Sequence, residues 1–141
     1  MSSKFAGLAL AVEAPSRLAL VHPVTRQPLR NAETGEAAWI DLLSSSSGAG
    51  RAHDRGVSDR VIRMRGQRYT SEQAEADLVE KLSKLTQGWD LVALDGTPLG
   101  VEFSAANARE LYALPELAWL REQVVEFIND LGNFQLPVSK N

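Results

Sequence analysis

The segment from residue 116 to residue 134, ELAWLREQVVEFINDLGNF, most constrains the fold, because its apolar residues recur at helical spacing. Six of them share one face of the predicted helix: Leu117, Leu120, Val124, Phe127, Ile128 and Leu131. Trp119 widens this apolar arc towards a second neighbour, and Gly132 is expected to end the helix. A helix with one apolar face is stable only when other elements cover that face. The chain therefore needs a packed domain around its C-terminal helix.

Two earlier regions are predicted to form β-hairpins. Residues 17–24 and 37–43 are rich in strand-forming residues and are separated by a turn-rich stretch, which favours an antiparallel pair with a long loop. Residues 89–103 carry apolar runs on both sides of Asp95-Gly96, a dipeptide that supplies the positive φ of a tight turn.

Further helices are expected in the middle of the chain. Residues 51–66 predict a basic amphipathic helix, and residues 105–113 predict a short one. Between them, Thr70 and Gln73 have the spacing of a capping box, in which each side chain satisfies a backbone N–H at a helix start. Gly88 is expected to be the C′ residue that ends this helix.

These elements predict one α+β domain over residues 1–141, with two β-hairpins packed with three to four helices. The segment SSSSGAG, residues 44–50, predicts a flexible hinge inside the domain. Residues 5–12 form a short apolar run after Lys4, but Glu13 stands where a signal peptide needs small residues. We therefore expect an apolar arm that docks on the domain. No run approaches the ~20 apolar residues of a membrane span, so no membrane partner is expected.

Residues that carry catalytic chemistry are few. Cysteine is absent, which excludes disulfides and thiolate ligands, and the two histidines, His22 and His53, lack the spacing of a metal motif. The chain contains neither a nucleophile elbow nor a phosphate-binding glycine loop. The sequence therefore predicts a protein that is not an enzyme and that uses no metal or cofactor.

Charge is distributed unevenly along the chain. Six arginines lie between residues 51 and 68 against two aspartates, whereas six acidic residues lie between 102 and 130 against two arginines. Nucleic-acid binding is disfavoured by the net charge of −3 and by the lack of a stacking platform beside the arginines. Because the guanidinium group matches carboxylates, the basic face predicts a protein interface, with Arg60 and Arg63 as candidates and another copy's acidic half as one possible partner.

Residues 88–134 resemble the C-terminal part of tail assembly chaperones and related small tail proteins of long-tailed bacteriophages and prophages. The stretches LVHPVTRQPL and AWIDL extend the resemblance into the N-terminal part of the chain. The matching residues of the C-terminal part are Trp89, Asp95, Gly96, Pro98, Leu99, Phe103, Ser104, Asn107, Ala108, Leu111, Tyr112, Trp119, Arg121, Glu122, Gln123, Val124, Phe127, Ile128, Asn133 and Phe134.

The resemblance implies a role in tail morphogenesis in the host cytoplasm. Such chaperones bind the tape-measure protein, a long helical rod that aggregates easily, help to recruit major tail protein, and are often oligomeric. The alternative is a structural tail or head–tail connector subunit that stays in the virion.

Phe134 has two interpretations at this point. It folds back onto the end of the last helix, or it forms a docking surface for a helical partner or a neighbouring copy together with Leu136 and the Trp119 side of the helix.

Overall fold

The computed structural model describes residues 4–135 of the chain. Within them lie a three-stranded antiparallel sheet and four α-helices, which confirms the predicted α+β class. The strands are β1 (Ser16–Ala19), β2 (Trp39–Leu42) and β3 (Thr86–Asp90). The helices are α1 (Gly48–Arg63), α2 (Ser71–Leu85), α3 (Ala105–Ala113) and α4 (Ala118–Asn129). Short 3-10 turns lie at Ala6–Leu8, Pro115–Leu117 and Leu131–Phe134.

Strand β2 is the centre of the sheet and pairs antiparallel with β1 on one edge and β3 on the other. Its side chains alternate with the period of two that strands impose. Ile40 and Leu42 point into the core and are fully buried. On the opposite face, Arg17 of β1 forms a salt bridge with Asp41, and its guanidinium group lies 3.6 Å from the centroid of the Trp39 ring. The predicted pairing of the first two strand segments is thus confirmed, with one face buried and one face polar.

Helices α2, α3 and α4 supply the other side of the core. Its buried residues on these helices are Leu82, Leu85, Ala108, Tyr112, Leu120, Val124 and Ile128. The Gln123 side chain hydrogen-bonds both the backbone N–H and the carbonyl of Val21, at 3.1 and 2.7 Å, as a neighbouring strand would. Leu120, Val124 and Ile128 of the apolar face predicted for the C-terminal helix are therefore buried in the core, and Gln123 fixes the helix along the chain that follows β1. The helix ends at Asn129 and not at Gly132 as predicted, and Leu131, which was predicted to share the buried face, is 46% exposed in the following 3-10 turn.

A buried hydrogen-bond chain joins α3 to the junction between α2 and β3. The Thr86 hydroxyl donates to the Leu82 carbonyl at 2.7 Å and lies 2.7 Å from the Tyr112 hydroxyl. Because the one proton of Thr86 goes to Leu82, Tyr112 is the donor to Thr86. Burial raises the pKa of Tyr112 from 10.0 to about 12.

The ends of α2 show one prediction that is confirmed and one that is wrong. Thr70 and Gln73 form the predicted capping box, with both reciprocal hydrogen bonds present. Gly88, however, does not end the helix: α2 stops at Leu85, and Gly88 lies within β3. The extended backbone of Thr86 leads the chain directly into pairing with β2, so sheet formation ends the helix earlier than a glycine cap would.

The serine-rich segment predicted as a hinge leads directly into α1, which begins at Gly48. Ser44 and Ser47 are fully buried, and their hydroxyls accept hydrogen bonds from the backbone N–H groups of Ser46 and Gly50. Gly50 is required here, since a Cβ at this position would lie 2.2 Å from the Ser45 carbonyl oxygen. Ser47 is the N-cap of α1, a position at which serine is strongly preferred, whereas Ser44 stabilises the turn that precedes it.

The buried hydroxyl of Tyr112 generates a prediction about alkaline pH. The pKa of Tyr112 in the folded protein, about 12, lies above the ordinary value of 10.0. The contribution of Tyr112 to the free energy of unfolding is therefore full below pH 10 and is lost as the pH rises towards 12. The loss is on the order of 2–3 kcal/mol.

Urea titrations of the wild type and of a Tyr112→Phe variant at several pH values measure the contribution of Tyr112 to the free energy of unfolding. At neutral pH the variant should be less stable by about 0.5–1.5 kcal/mol, because one hydrogen bond is missing. Between pH 10 and 12 the wild type should lose more stability than the variant. Parallel losses in the two proteins would show that ionisation of Tyr112 is not coupled to folding.

Candidate functional site

Phe134 packs inside the domain. Its side chain is 1% exposed, and its ring meets the ring of Phe127 edge to face at a centroid distance of 5.6 Å. Its carbonyl accepts a hydrogen bond from the N–H of Ala11 at 2.8 Å. Asp130 makes the reversal possible, because its carboxylate accepts the N–H of Gly132 at the start of the last 3-10 turn. Phe134 therefore folds back onto the end of the last helix, which is the first of its two interpretations, and its buried ring presents no surface to a partner. Leu136, its predicted companion, lies outside the described residues.

The two candidate arginines of α1 differ in their surroundings. Arg60 forms an ion pair with Asp77 of α2, and the hydroxyl of Tyr69 donates to the same carboxylate. Burial opposes ionisation of Asp77, but the hydrogen bonds from Tyr69 and Arg60 hold its pKa below the ordinary value. Arg60 is thus a link between two helices of the same chain. Arg63 is exposed and has no ion pair within the part of the chain that the structure describes.

Trp119 lines an apolar concave surface of the described residues, which we call the groove. The groove lies between the loop of residues 91–100, the end of α3 and the start of α4, and its volume is about 210 Å³. All its lining residues are apolar: Leu20, Leu29, Leu91, Val92, Ala93, Leu94, Leu99, Leu111, Leu117, Trp119 and Leu120. Among the predicted partner-binding residues that the structure describes, Trp119 belongs to the groove.

The loop of residues 91–100 is the exposed wall of the groove. It is closed by a β-bridge between Val92 and Pro98 and by a hydrogen bond from Ala93 N–H to the Thr97 carbonyl. The predicted second hairpin is therefore a narrow loop that follows β3. Leu94 and Leu99 on this loop are about half exposed, at 51% and 48%. Solvent-exposed apolar side chains next to an apolar cleft are typical of binding surfaces.

Gly96 lets the loop lie against the backbone of residues 30–32. Its φ is +90°, and a Cβ there would lie 2.7 Å from the Arg30 carbonyl oxygen. The N–H of Ala32 donates to the Gly96 carbonyl at 2.9 Å. This close backbone contact fixes the exposed wall of the groove to the hairpin region of the N-terminal half.

Three exposed acidic residues are sequence neighbours of residues that line the groove. Asp95, Glu110 and Glu116 each adjoin a lining residue in sequence, and all three are exposed. Among residues 4–135 none of these three carboxylates has an ion pair, whereas Arg109 and Arg121 pair with Glu80 and Glu75 of α2. Arg30 adjoins the lining residue Leu29 in the same way, is exposed, and has no ion pair among residues 4–135, so the charged residues next to the lining are of both signs.

Sequence reasoning identified Trp119 but missed the rest of the groove. Leu94 and Leu99 were assigned to hairpin strands, where one residue in two is buried. The signal that could have identified them is the turn-rich run VALDGTPLGV, which places two leucines beside the tight turn, where exposed polar residues are expected.

No family model, curated protein or solved structure matches this chain. Within residues 4–135, no group of three histidine, aspartate or glutamate side chains could hold a metal ion. No helix in the same range is long and apolar enough to cross a membrane. What the groove offers a partner is an apolar contact surface.

Replacing Gly96 should damage the wall of the groove. Gly96→Ala adds a clash with the Arg30 carbonyl to the strain of a positive φ. Gly100→Ala is the matched control, because Gly100 also has a positive φ of +67° but has open space around its Cβ position. Positive φ alone costs about 1–2 kcal/mol, and the clash should add about 1–3 kcal/mol in Gly96→Ala. Equal unfolding free energies for the two variants would contradict the close approach.

Replacing Phe134 should affect stability rather than partner binding. Phe134→Ala removes a buried ring and should lower the free energy of unfolding by about 3–5 kcal/mol. Phe5→Ala is a control, since the Phe5 ring is 64% exposed and its loss should cost far less. Thermal and urea unfolding measure the stability of both variants. A near-neutral Phe134→Ala variant would show that the ring is not part of the core.

Proposed function

We propose that this protein is a tail assembly chaperone of a long-tailed bacteriophage or prophage, which binds a helical segment of the tape-measure protein in the groove. The observation that carries the proposal is the groove itself, an open apolar surface that includes Trp119. The resemblance of residues 88–134 to such chaperones supports the same assignment.

The shape of the groove suits apolar side chains of a helix. A cavity of about 150 Å³ lined by aliphatic residues accepts a benzene-sized group, so about 210 Å³ can accept a leucine or phenylalanine side chain. Helical partners commonly dock by placing anchors at positions i, i+3, i+4 and i+7 in such grooves. Coverage of these anchors would remove the surface through which an unassembled rod aggregates.

Charged residues that are sequence neighbours of the lining residues make the expected segment more specific. Exposed carboxylates at Asp95, Glu110 and Glu116 favour a helix whose apolar anchors are flanked by lysine or arginine. Rim charges act mainly on the rate of encounter and on register, whereas the apolar anchors supply most of the affinity.

The exposed face of α1 is a second surface, which we assign to recruitment of major tail protein. α1 packs on α2 and contributes no lining residue to the groove. Along α1 only Gly50 is buried, and Arg55 and Arg63 are exposed. A protein with two separate surfaces can hold the tape-measure segment while a tail subunit approaches in the host cytoplasm.

Groove variants should lose the tape-measure protein. Trp119→Ala and Leu94→Asp should each weaken binding by about thirtyfold or more, which is the usual effect of losing a central anchor. Val24→Asp is the matched control, because Val24 is an apolar residue that is 80% exposed and lies outside the groove. Co-expression with the tape-measure protein of the same genome, followed by pull-down and a solubility assay, measures the effect.

Two results would contradict the proposal. The first is a tape-measure protein that stays insoluble with the wild-type chain. The second is equal recovery of tape-measure protein with Leu94→Asp and with Val24→Asp. Detection of the protein in purified virions would instead favour the structural tail or connector subunit.

A further inference from the structure

Strand β1 lies at the edge of the sheet, and part of its outer side has no partner. The N–H of Leu20 donates to the Ala38 carbonyl, which continues the register between β1 and β2. Because bonded positions alternate in an antiparallel ladder, the backbone N–H and carbonyl groups of Arg17 and Ala19 point away from β2. Within residues 4–135, none of these outward groups has a hydrogen-bond partner. An unpaired strand edge of this kind can accept a further strand.

The unpaired stretch is bounded at both ends by α4 and the turn that follows it. At one end, the Gln123 side chain occupies the N–H and the carbonyl of Val21, which also point away from β2. At the other end, the Ser16 hydroxyl donates to the Asn133 carbonyl at 2.7 Å. Residues 17–19 lie between these two contacts, and we call them the open edge.

A cleft of about 370 Å³ lies beside the open edge, between β1 and α4. Leu18 and Phe127 are among its apolar lining residues, and its charged lining residues are Arg26, Glu126 and Asp130. These three charged residues are exposed, and none of them forms an ion pair within the described part of the chain. The cleft thus combines an apolar surface with charges that a partner can neutralise.

The charges of the cleft are separated along the direction of β1. Arg26 belongs to the turn after β1, at the end where Gln123 contacts Val21. Glu126 and Asp130 lie further along α4, about one and two turns beyond Gln123, and hence alongside the open edge. A segment bound on the open edge therefore meets negative charge at its centre and positive charge at one end.

We propose that an extended segment of another protein pairs with the open edge as a further antiparallel strand, with a lysine or arginine opposite Leu18. The segment exchanges backbone hydrogen bonds with Arg17 and Ala19 on either side of that position. Addition of a strand to an exposed sheet edge is a common mode of peptide recognition, in which the backbone supplies affinity and alternate side chains supply specificity.

The basic residue is specified by the face to which it points. Leu18 shares the core side of the sheet with Ile40, so a side chain opposite Leu18 points towards α4 and the cleft. The aliphatic stem of a lysine or arginine packs on Leu18 and Phe127, and its charged group reaches Glu126 and Asp130.

A second copy of this chain is a poorer partner for the open edge. In an antiparallel pair of two β1 strands, the unpaired groups of residues 17 and 19 must meet, which places Ser16, Leu18 or Leu20 of the other copy opposite Leu18. None of these side chains is charged, so the carboxylates of the cleft would stay unpaired. The cleft shares no lining residue with the groove, and the proposal does not depend on the proposed function.

Titration with the peptide acetyl-Ser-Val-Lys-Val-Ser-amide, followed by NMR, tests this contact. The peptide should shift the amide signals of Arg17 and Ala19, and replacing its lysine by glutamate should weaken binding by about tenfold, because attraction becomes repulsion. Methylation of both valine N–H groups should abolish binding, since these groups donate to the carbonyls of β1. Methylation of the lysine N–H is the matched control, because that group lies on the outer side of the added strand, and this peptide should bind like the parent.

Two charge-reversal variants of α4 test the role of the cleft. Glu126→Lys should abolish the preference for the lysine peptide over the glutamate peptide. Glu122→Lys should retain that preference, because Glu122 is also exposed on α4 but does not line the cleft. Both positions are exposed, so circular dichroism should show an unchanged fold in each variant.

Four results would overturn the proposal. They are amide signals of Arg17 and Ala19 that do not move at millimolar peptide, equal affinities for the lysine and glutamate peptides, equal affinities for the two kinds of methylated peptide, and equal effects of the two variants. Amide signals of the open edge that change with protein concentration in the absence of peptide would instead assign the edge to a second copy of the chain.

Discussion

The burial of one face of β2 is the constraint on which the rest of the structure depends. Ile40 and Leu42 point into the core, so every element that covers them must lie on the same side of the sheet. Helices α2, α3 and α4 do so, and the Tyr112–Thr86–Leu82 hydrogen bonds fix α3 at the end of the sheet. Once these helices are in place, the loop after β3 and the start of α4 face each other. The groove is the space that remains between them.

Periodic sequence patterns predicted most helices and strands of this fold. The features that these patterns did not predict depend on contacts between segments that are distant in sequence. The capping box and the apolar face of the C-terminal helix depend on residues close in sequence, so both were recognisable. The end of α2 depends on pairing between β3 and β2, which no local pattern records. The same is true of the groove, whose lining comes from segments as distant as Leu20 and Leu120.

The two aromatic residues predicted to bind a partner have different roles in the structure. Phe134 is enclosed by Phe127 and by the chain around Ala11, and it closes the C-terminal end of the domain. Trp119 remains partly exposed and lines the groove. The charged groups differ similarly, because Arg60 pairs with Asp77 within the chain, whereas Asp95, Glu110 and Glu116 have no ion pair among residues 4–135. Residues with the same sequence signal are thus divided between stability and recognition by their packing.

The central claim is that the groove binds a helical segment of the tape-measure protein. Amide hydrogen exchange measures it most directly, on the protein alone and in complex with the tape-measure protein. Binding in the groove predicts slower exchange in residues 91–101 and 111–120, with little change along α1. Protection confined to Gly48–Arg63 would contradict the account and would place the partner on the basic helix instead.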